Sequence, residues 1–283
     1  MAEKPETAQK TVWQKLQNIP KNILYIIVII VLVVPIFMPL GLPISIAQST
    51  MDFYNTIENL PRGSRVFLMM GIGFALYSES GYTTEAVTEH LLSKGLKVYV
   101  IDVAIAGSTI QITIPLLDRI GKAKGYKYGT DYVHLGYVAG GEIAIASLAV
   151  NLWEIVVKDV YGTPLSEIPM MAGAHVAKDF NLLIVASTDL DTPLMWLRQW
   201  QTTYNIPSLG IYHAAQGSLM MPYYPGQLKG IVSGIRGGAE YELLIKKPGA
   251  AIRGLDQANL SSIYILVIIL MGNIGYFMEK RRK

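Results

Sequence analysis

The chain has 283 residues and a composition that does not fit a protein fully dissolved in water. Hydrophobic residues make up 51% of it and charged residues 16%, whereas soluble domains carry about 25% charged residues. There is no cysteine, which excludes disulfides and thiol chemistry. The net charge of +3 arises from basic residues at the two ends, so it gives no reason to predict nucleic-acid binding.

Two uncharged apolar segments predict membrane-spanning helices. No residue between Lys21 and Asp52 is charged, and residues 257–278 are uncharged as well. Each segment exceeds the roughly 20 residues needed to cross a bilayer. A cleaved signal peptide is the alternative for the first segment, and a buried core helix is the alternative for the second. The first segment lacks a small-residue cleavage site and a basic cluster follows the second, so we favour two anchors.

The predicted organisation has five regions around these segments. They are a cytoplasmic tail at 1–22, a transmembrane helix at 23–47, an extracytoplasmic α/β domain at 48–256, a second transmembrane helix at 257–278 and a basic cytoplasmic tail at 279–283. The orientation follows from an excess of basic residues in both tails, namely Lys4, Lys10, Lys15, Lys21, Lys280, Arg281, Arg282 and Lys283. Lys246, Lys247 and Arg253 fall on the predicted outer side and oppose this orientation.

Between the two spans, short β-rich runs alternate with longer helical patterns. The predicted strands are Arg65–Gly71, Lys97–Val103, Tyr132–Val138, Leu182–Ser187 and Ser208–His213. The predicted helices are Thr83–Lys94, Thr109–Lys124, Glu142–Val157, Thr192–Tyr204 and a final segment at about 226–244. This alternation predicts βαβ units and a mostly parallel, doubly wound, Rossmann- or flavodoxin-like sheet of about five strands.

Polar side chains follow several of the predicted strands, where open α/β sheets bind their ligands. The candidate ligand cleft consists of Ser78, Glu79, Asp102, Thr188, Asp189 and His213. Such a set could hold a cation or perform acid–base chemistry. The alternative for the aspartates near Thr192 is helix capping. Asp102 could equally be an edge residue with satisfied hydrogen bonds.

The motifs of known catalytic and cofactor sites are missing. Leu76 stands where the third glycine of a G-x-G-x-x-G loop belongs, and there is no glycine-rich loop followed by lysine and no G-x-S-x-G elbow. The four histidines have no metal-ligand spacing. We therefore predict no cofactor, no metal ion and no identifiable catalytic residue.

A second set of residues is typical of close packing or of an interface. Its members are Met220, Met221, Tyr223, Tyr224, Gly230, Gly234 and Gly238. The Met/Tyr segment is amphipathic, and the glycine spacing from 230 to 234 lets a helix approach another helix closely. Packing within the chain is the alternative to a partner contact.

Three segments resemble a family of uncharacterised prokaryotic membrane proteins. They are Tyr128-Gly-Thr-Asp-Tyr-Val-His-Leu-Gly-Tyr137, Tyr161-Gly-Thr-Pro164 with Ile168-Pro-Met170, and Gly226-Gln-Leu228 with Gly238-Ala-Glu-Tyr-Glu242. The resemblance covers about residues 60 to 245. It implies no activity. This chain departs from the family after the first strand, where Gly73-Phe-Ala-Leu-Tyr-Ser-Glu79 replaces an aspartate-containing loop.

The sequence thus favours a non-enzymatic, membrane-anchored domain that acts in assembly. Its expected partners are membrane lipid together with copies of itself or other membrane proteins. One alternative is a solute-binding or sensing domain that uses Asp102, Asp189 and His213. The other is a carboxylate- or metal-dependent hydrolase of an envelope substrate.

Overall fold

A computed structural model of the protein describes residues 12, 19–103 and 109–281. The described residues form two compact units. One unit is formed by residues within 1–42 and 253–283, and the other by residues 43–252. The basic tail residues Lys4, Lys10, Lys15, Arg282 and Lys283, on which the predicted orientation depends, lie outside the described residues.

The second unit is an α/β domain built on a six-stranded parallel sheet. Its strand order is β3-β2-β1-β4-β5-β6, the order of the doubly wound Rossmann fold. The strands are β1 (Arg65–Gly71), β2 (Lys97–Asp102), β3 (Tyr132–Tyr137), β4 (Leu182–Ser187), β5 (Ser208–Tyr212) and β6 (Leu228–Ser233). The α/β class and the parallel sheet are confirmed, whereas the expectation of about five strands was one strand short.

Strand β1 is apolar at nearly every position because helices cover both faces of the sheet. Phe67 and Met69 belong to one buried cluster, and Leu68 and Met70 belong to the other. Alternate side chains of a strand point to opposite faces, so a strand with two covered faces needs no polar positions. The same reasoning explains why β4 is buried along its whole length.

The described α-helices are divided between the two units. They are α1 (Lys21–Phe37), α2 (Gln48–Glu58), α3 (Tyr82–Ser93), α4 (Ile110–Lys124), α5 (Gly141–Val150), α6 (Leu152–Ile155), α7 (Thr192–Trp196), α8 (Ala214–Met220), α9 (Gly234–Leu244) and α10 (Ala250–Lys280). One buried cluster takes side chains from α2, α3, α4 and α9, and the other takes them from α5, α6 and α7.

Two predicted helices are interrupted or irregular in the structure. The predicted helix 142–157 is interrupted at Asn151, whose backbone is extended and which separates α5 from α6. The predicted helix 192–204 begins as α7 and continues as a π-helical turn, Leu197–Thr202. Trp196 and Trp200 from this segment lie fully buried against Phe67, so aromatic packing accompanies the irregular turn.

The predicted final helix at about 226–244 was wrong in its first half. Leu228–Ser233 forms the edge strand β6, and the helix begins only at Gly234. Gly230 therefore lies in a strand, and its spacing to Gly234 does not describe a helix face. A Cβ atom at Gly230 would lie 2.4 Å from the backbone N and Cα of Phe53, so glycine lets α2 pack directly on β6.

In the other unit, one described helix is long and apolar enough to cross a membrane. This is α10, with 31 residues, and only 6% of its most apolar window is buried. Of the two predicted spans, only the second coincides with a described helix that is long and apolar enough to cross a membrane. The predicted first span, 23–47, does not, because its helix is shorter than expected. Helix α1 ends at Phe37 after 17 residues, and Pro39 and Pro43 in the following segment cannot donate a helical hydrogen bond.

Helices α1 and α10 run antiparallel within this unit. The Tyr264 hydroxyl donates to the carbonyl of Leu24 at 2.8 Å, and the Gln257 amide donates to the carbonyl of Leu32 at 2.6 Å. At the end of the hairpin, the buried Asp256 carboxylate accepts N–H bonds from residues 40–42 at 2.7 to 3.4 Å. These bonds fix the chain where it leaves α1.

Candidate functional site at the carboxyl edge of the sheet

The strand order reverses between β1 and β4, which is where an open α/β sheet forms a crevice. The chain after β1 passes through a 3-10 turn, Phe74–Leu76, and a π-helical turn, Tyr77–Gly81, before α3 begins. A Cβ atom at Gly81 would lie 2.4 Å from the Tyr77 ring. The tyrosine ring thus lies close to the position where a dinucleotide fold has its glycine-rich phosphate loop.

Thr188 joins the loop after β4 to the loop after β1. Its Oγ1 accepts the N–H of Gly73 at 3.1 Å and donates to the carbonyl of Gly71 at 3.3 Å. A Cβ atom at Gly73 would stand 3.5 Å from the same oxygen. The Gly71-Ile72-Gly73 backbone is therefore held by this hydroxyl.

Asp189 caps α7, as the capping interpretation predicted. Its Oδ1 accepts the N–H of Thr192 at 2.8 Å and that of Asp191 at 3.2 Å. Its Oδ2 accepts a hydrogen bond from the Ser187 hydroxyl at 3.0 Å. Both carboxylate oxygens are thus engaged within the chain.

Glu79 performs the corresponding role for α8. Its Oε2 accepts the N–H of Ala214 at 3.0 Å, and His213 occupies the position before the first residue of this helix. The Gln216 side-chain amide donates to the Asp189 carbonyl. Side chains therefore connect the loops that follow β1, β4 and β5.

The candidate cleft residues do not converge on one point. Asp102 is fully buried at the end of β2, and β1 separates its strand from β4. At about 4.8 Å per strand, Asp102 lies roughly 10 Å from Asp189 and roughly 14 Å from His213 along the edge. Ser78 is exposed in the π-helical turn. The described residues contain no group of three His, Asp or Glu side chains that could hold a metal ion.

Most of the predicted interface residues pack within the chain. Met220 is buried, and Tyr223 and Tyr224 are partly buried against the larger apolar cluster. The Tyr224 hydroxyl donates to Asp52. The position of a Cβ atom at Gly238 would be 2.3 Å from the Thr83 hydroxyl oxygen. Met221 remains exposed.

A set of exposed apolar side chains lies at the carboxyl edge, and the sequence singled out only Met221 among them. We call these the apolar edge residues: Phe74 after β1, Ile143 after β3, Leu190 after β4, and Leu219 and Met221 after β5. Their exposed fractions lie between 44% and 80%. Each belongs to a segment that directly follows a strand. Leu190 is an apolar residue inside a polar segment, whereas Ile143 belongs to an apolar helix and has no distinguishing sequence signal.

Buried carboxylates that accept backbone N–H groups were also missed. Glu242 accepts three, from Gly249, Ala251 and Ile252, at 2.8 to 2.9 Å, and so caps the start of α10. Glu240 accepts the N–H of Ala47 at 3.1 Å and the Thr50 hydroxyl at 2.8 Å. The Gly238-Ala-Glu-Tyr-Glu242 segment thus binds the backbone near the first and near the last residues of the domain.

The other segments of the family resemblance also have structural roles. The Tyr128 hydroxyl donates to Asp159 at 2.8 Å, and Asp159 accepts the N–H groups of Tyr161 and Thr163 at 2.8 to 2.9 Å. His134 is buried; its Nε2 lies 2.8 Å from the Thr113 hydroxyl, and its Nδ1 accepts the N–H of Gly136. These bonds connect β3, an edge strand of the sheet, to the segments packed beside it.

His134 gives the domain a predictable pH dependence. Burial lowers its pKa from 6.5 to about 4. Between these values the unfolded chain binds more protons, so stability falls as the pH falls through this window. We expect a contribution of about 2 to 3 kcal/mol between pH 7 and pH 4.5.

Chemical denaturation at the two pH values measures this contribution. In His134→Asn, a side-chain oxygen can still accept the Gly136 N–H but does not titrate. Its loss of stability on acidification should be smaller than that of the wild type by this amount. Equal losses in the two proteins would contradict the prediction.

Comparison of the sequence with known protein families finds no matching family, and comparison with curated proteins finds no match. The function is therefore inferred from the geometry of the domain.

Proposed function

We propose that the chain is a membrane-anchored, non-enzymatic domain that assembles with copies of itself through the carboxyl edge of its sheet. The observation that carries this proposal is the exposure of the apolar edge residues. Single exposed apolar side chains are common, but several of them at one edge are typical of a contact surface. They follow four of the six strands, so the surface they mark is broad.

The polar groups of the same edge support assembly over chemistry. Glu79 and Asp189 cap helices, and Thr188 joins two loops. A catalytic or metal-binding carboxylate needs oxygen atoms that can reach a substrate or ion. Here these oxygen atoms stabilise the loops that display the apolar side chains.

The partner we propose is a second copy of the chain. Most oligomers are homo-oligomers with closed symmetry, and a two-fold interface uses the same surface on both subunits. Another membrane protein, as the sequence also allowed, is the alternative partner.

A solute-binding function keeps one observation in its favour: the buried Thr192 Oγ1 and Gln216 Oε1 have no hydrogen-bond partner within the described structure.

The proposed anchor is α10, whose large apolar side chains are mostly exposed from Ile263 to Met278. The shorter α1 would lie beside it in the bilayer.

From the basic tails we further propose that the domain is extracytoplasmic. Since the chain has no cysteine, a Lys178→Cys variant in intact cells tests this orientation. Labelling by a membrane-impermeant maleimide supports it, and labelling only after lysis overturns it.

Charge placed on the apolar edge residues should dissociate the assembly. We expect Phe74→Asp combined with Leu190→Asp to weaken self-association by about 30-fold or more, because loss of an interface hot spot costs roughly 2 kcal/mol. Mass photometry of the full chain in detergent, over a range of concentrations, measures the change.

Val157→Asp is the matched control for this experiment. Val157 is 67% exposed and lies in the segment after α6 that hydrogen-bonds to the edge strand β3. The control should associate like the wild type. A wild-type protein that is monomeric at every concentration, or an equal effect of both variants, would contradict the proposal.

A further inference from the structure

A pocket lies on the face of the sheet that α2, α3 and α9 cover, away from the carboxyl edge. Its volume is about 300 Å³, and α2, α3 and the end of α9 form its walls. Three lysines line it, Lys94, Lys246 and Lys247, together with Tyr54, Glu58, His90 and Ser93. Glu58 is the one acidic residue among these.

The floor of the pocket is an ordered polar network. The Tyr241 hydroxyl lies 2.6 Å from Nδ1 of the buried His90, and Nε2 of His90 lies 2.8 Å from Glu58 Oε1. Lys94 Nζ donates to the other oxygen of Glu58 at 2.8 Å. The hydrogen bond from Lys94 contributes most to lowering the pKa of Glu58. The only carboxylate of the pocket is therefore ionised and already neutralised by Lys94.

Two positive charges remain in the pocket. Neither Lys246 nor Lys247 forms an ion pair in the part of the chain that the structure describes. Their backbone N–H groups bind the carbonyls of Leu243 and Glu242 at 3.0 Å each. These two carbonyls at the end of α9 therefore accept backbone N–H groups. The ammonium groups of Lys246 and Lys247 are not needed to bond them.

The backbone at Lys246 is unusual for a lysine. Its φ is +55°, in the left-handed region, and the bonding pattern is that of a helix end at which glycine is the usual residue. A lysine at this position is more strained than a glycine. The position thus holds a cationic side chain at a backbone site that favours glycine.

We propose that this pocket binds a phosphate-type oxyanion, supplied either by an anionic lipid headgroup or by a soluble phosphate compound. Ammonium groups such as those of Lys246 and Lys247 provide charge-assisted hydrogen bonds that such oxyanions accept. The lipid source rests on the proposed anchoring role of α10, because Lys247 precedes this apolar helix by only three residues. Basic residues beside a membrane helix attract anionic lipid.

The test uses the full chain in a non-ionic detergent and follows thermal unfolding at constant ionic strength. The probes are inorganic phosphate and short-chain phosphatidic acid, with the corresponding diacylglycerol as a neutral reference. We expect one or both phosphate probes to raise the unfolding temperature. Stabilisation by both identifies a general phosphate site, and stabilisation by phosphatidic acid alone identifies the lipid headgroup as the ligand.

The pocket variant is Lys246→Gly combined with Lys247→Ala. Glycine fits the backbone of position 246, so this variant should fold. Binding should weaken by about tenfold or more, as expected for the loss of a charge-assisted hydrogen bond. The matched control is Lys122→Ala with Lys124→Ala, which removes two lysines from the end of α4 that do not line the pocket.

The control should retain wild-type binding. If neither phosphate probe stabilised the protein, the proposal would be overturned. So would an equal reduction in both variants, because that result would indicate general charge attraction rather than a site.

Discussion

Replacement of Glu242 by alanine is expected to lower the free energy of unfolding by about 3 to 5 kcal/mol. The carboxylate is 2% exposed and accepts three backbone N–H groups at the start of α10. Alanine would leave these donors buried without acceptors, and each unsatisfied buried group costs roughly 1 to 3 kcal/mol. Chemical denaturation of the full chain in detergent measures the loss.

Glu154→Ala is the control for this substitution. Glu154 is exposed and lies in the short helix α6, where a surface change should alter stability by less than about 0.5 kcal/mol. If Glu242→Ala were no more destabilised than Glu154→Ala, the capping role of Glu242 would be wrong.

The second large effect is expected at Gly230. An alanine Cβ there would lie 2.4 Å from the backbone of Phe53, which cannot yield as a flexible side chain could. Helix α2 must therefore move away from β6, and we expect a loss of about 3 kcal/mol in the free energy of unfolding.

Gly226→Ala gives the matched comparison. The nearest atom to its added Cβ would be 3.9 Å away, which is an ordinary contact distance. It should therefore be close to neutral in the same denaturation experiment. Similar losses at the two glycines would contradict the close packing of α2 on β6.

The central strands could be predicted from the sequence because both faces of the sheet are covered. A strand such as β4 then consists of one apolar run with clear ends. Strand β6 lies at the sheet edge, carries the exposed Lys229 and contains Gly230. It lacks an apolar run, and its glycine spacing is equally typical of a packed helix.

The location of the candidate site could also be predicted, because the carboxyl ends of parallel strands share one edge. The roles of its side chains could not. Glu79 caps a helix that begins 135 positions later in the chain, and such pairings depend on strand order. For the same reason, sequence spacing could not show that Gly238 packs on Thr83.

Apart from Met221, the apolar edge residues were missed for a different reason. Phe74 and Leu190 lie in connections that follow different strands, and only the strand order places them at the same edge. The first predicted span, in contrast, was too long because apolarity continues past Phe37 while the helix does not. Composition detects apolar length, but it does not detect where the helix ends; the segment after Phe37 contains Pro39 and Pro43, which cannot donate a helical hydrogen bond.

Cysteine crosslinking tests assembly through the carboxyl edge most directly, since the wild-type chain contains no cysteine. Single variants Leu190→Cys and Lys178→Cys place one thiol at this edge and one just before β4, at the opposite edge. With a short bis-maleimide in native membranes, Leu190→Cys should form a covalent dimer and Lys178→Cys should not. Absence of a dimer from Leu190→Cys, or equal dimer from both variants, would contradict self-assembly through this edge.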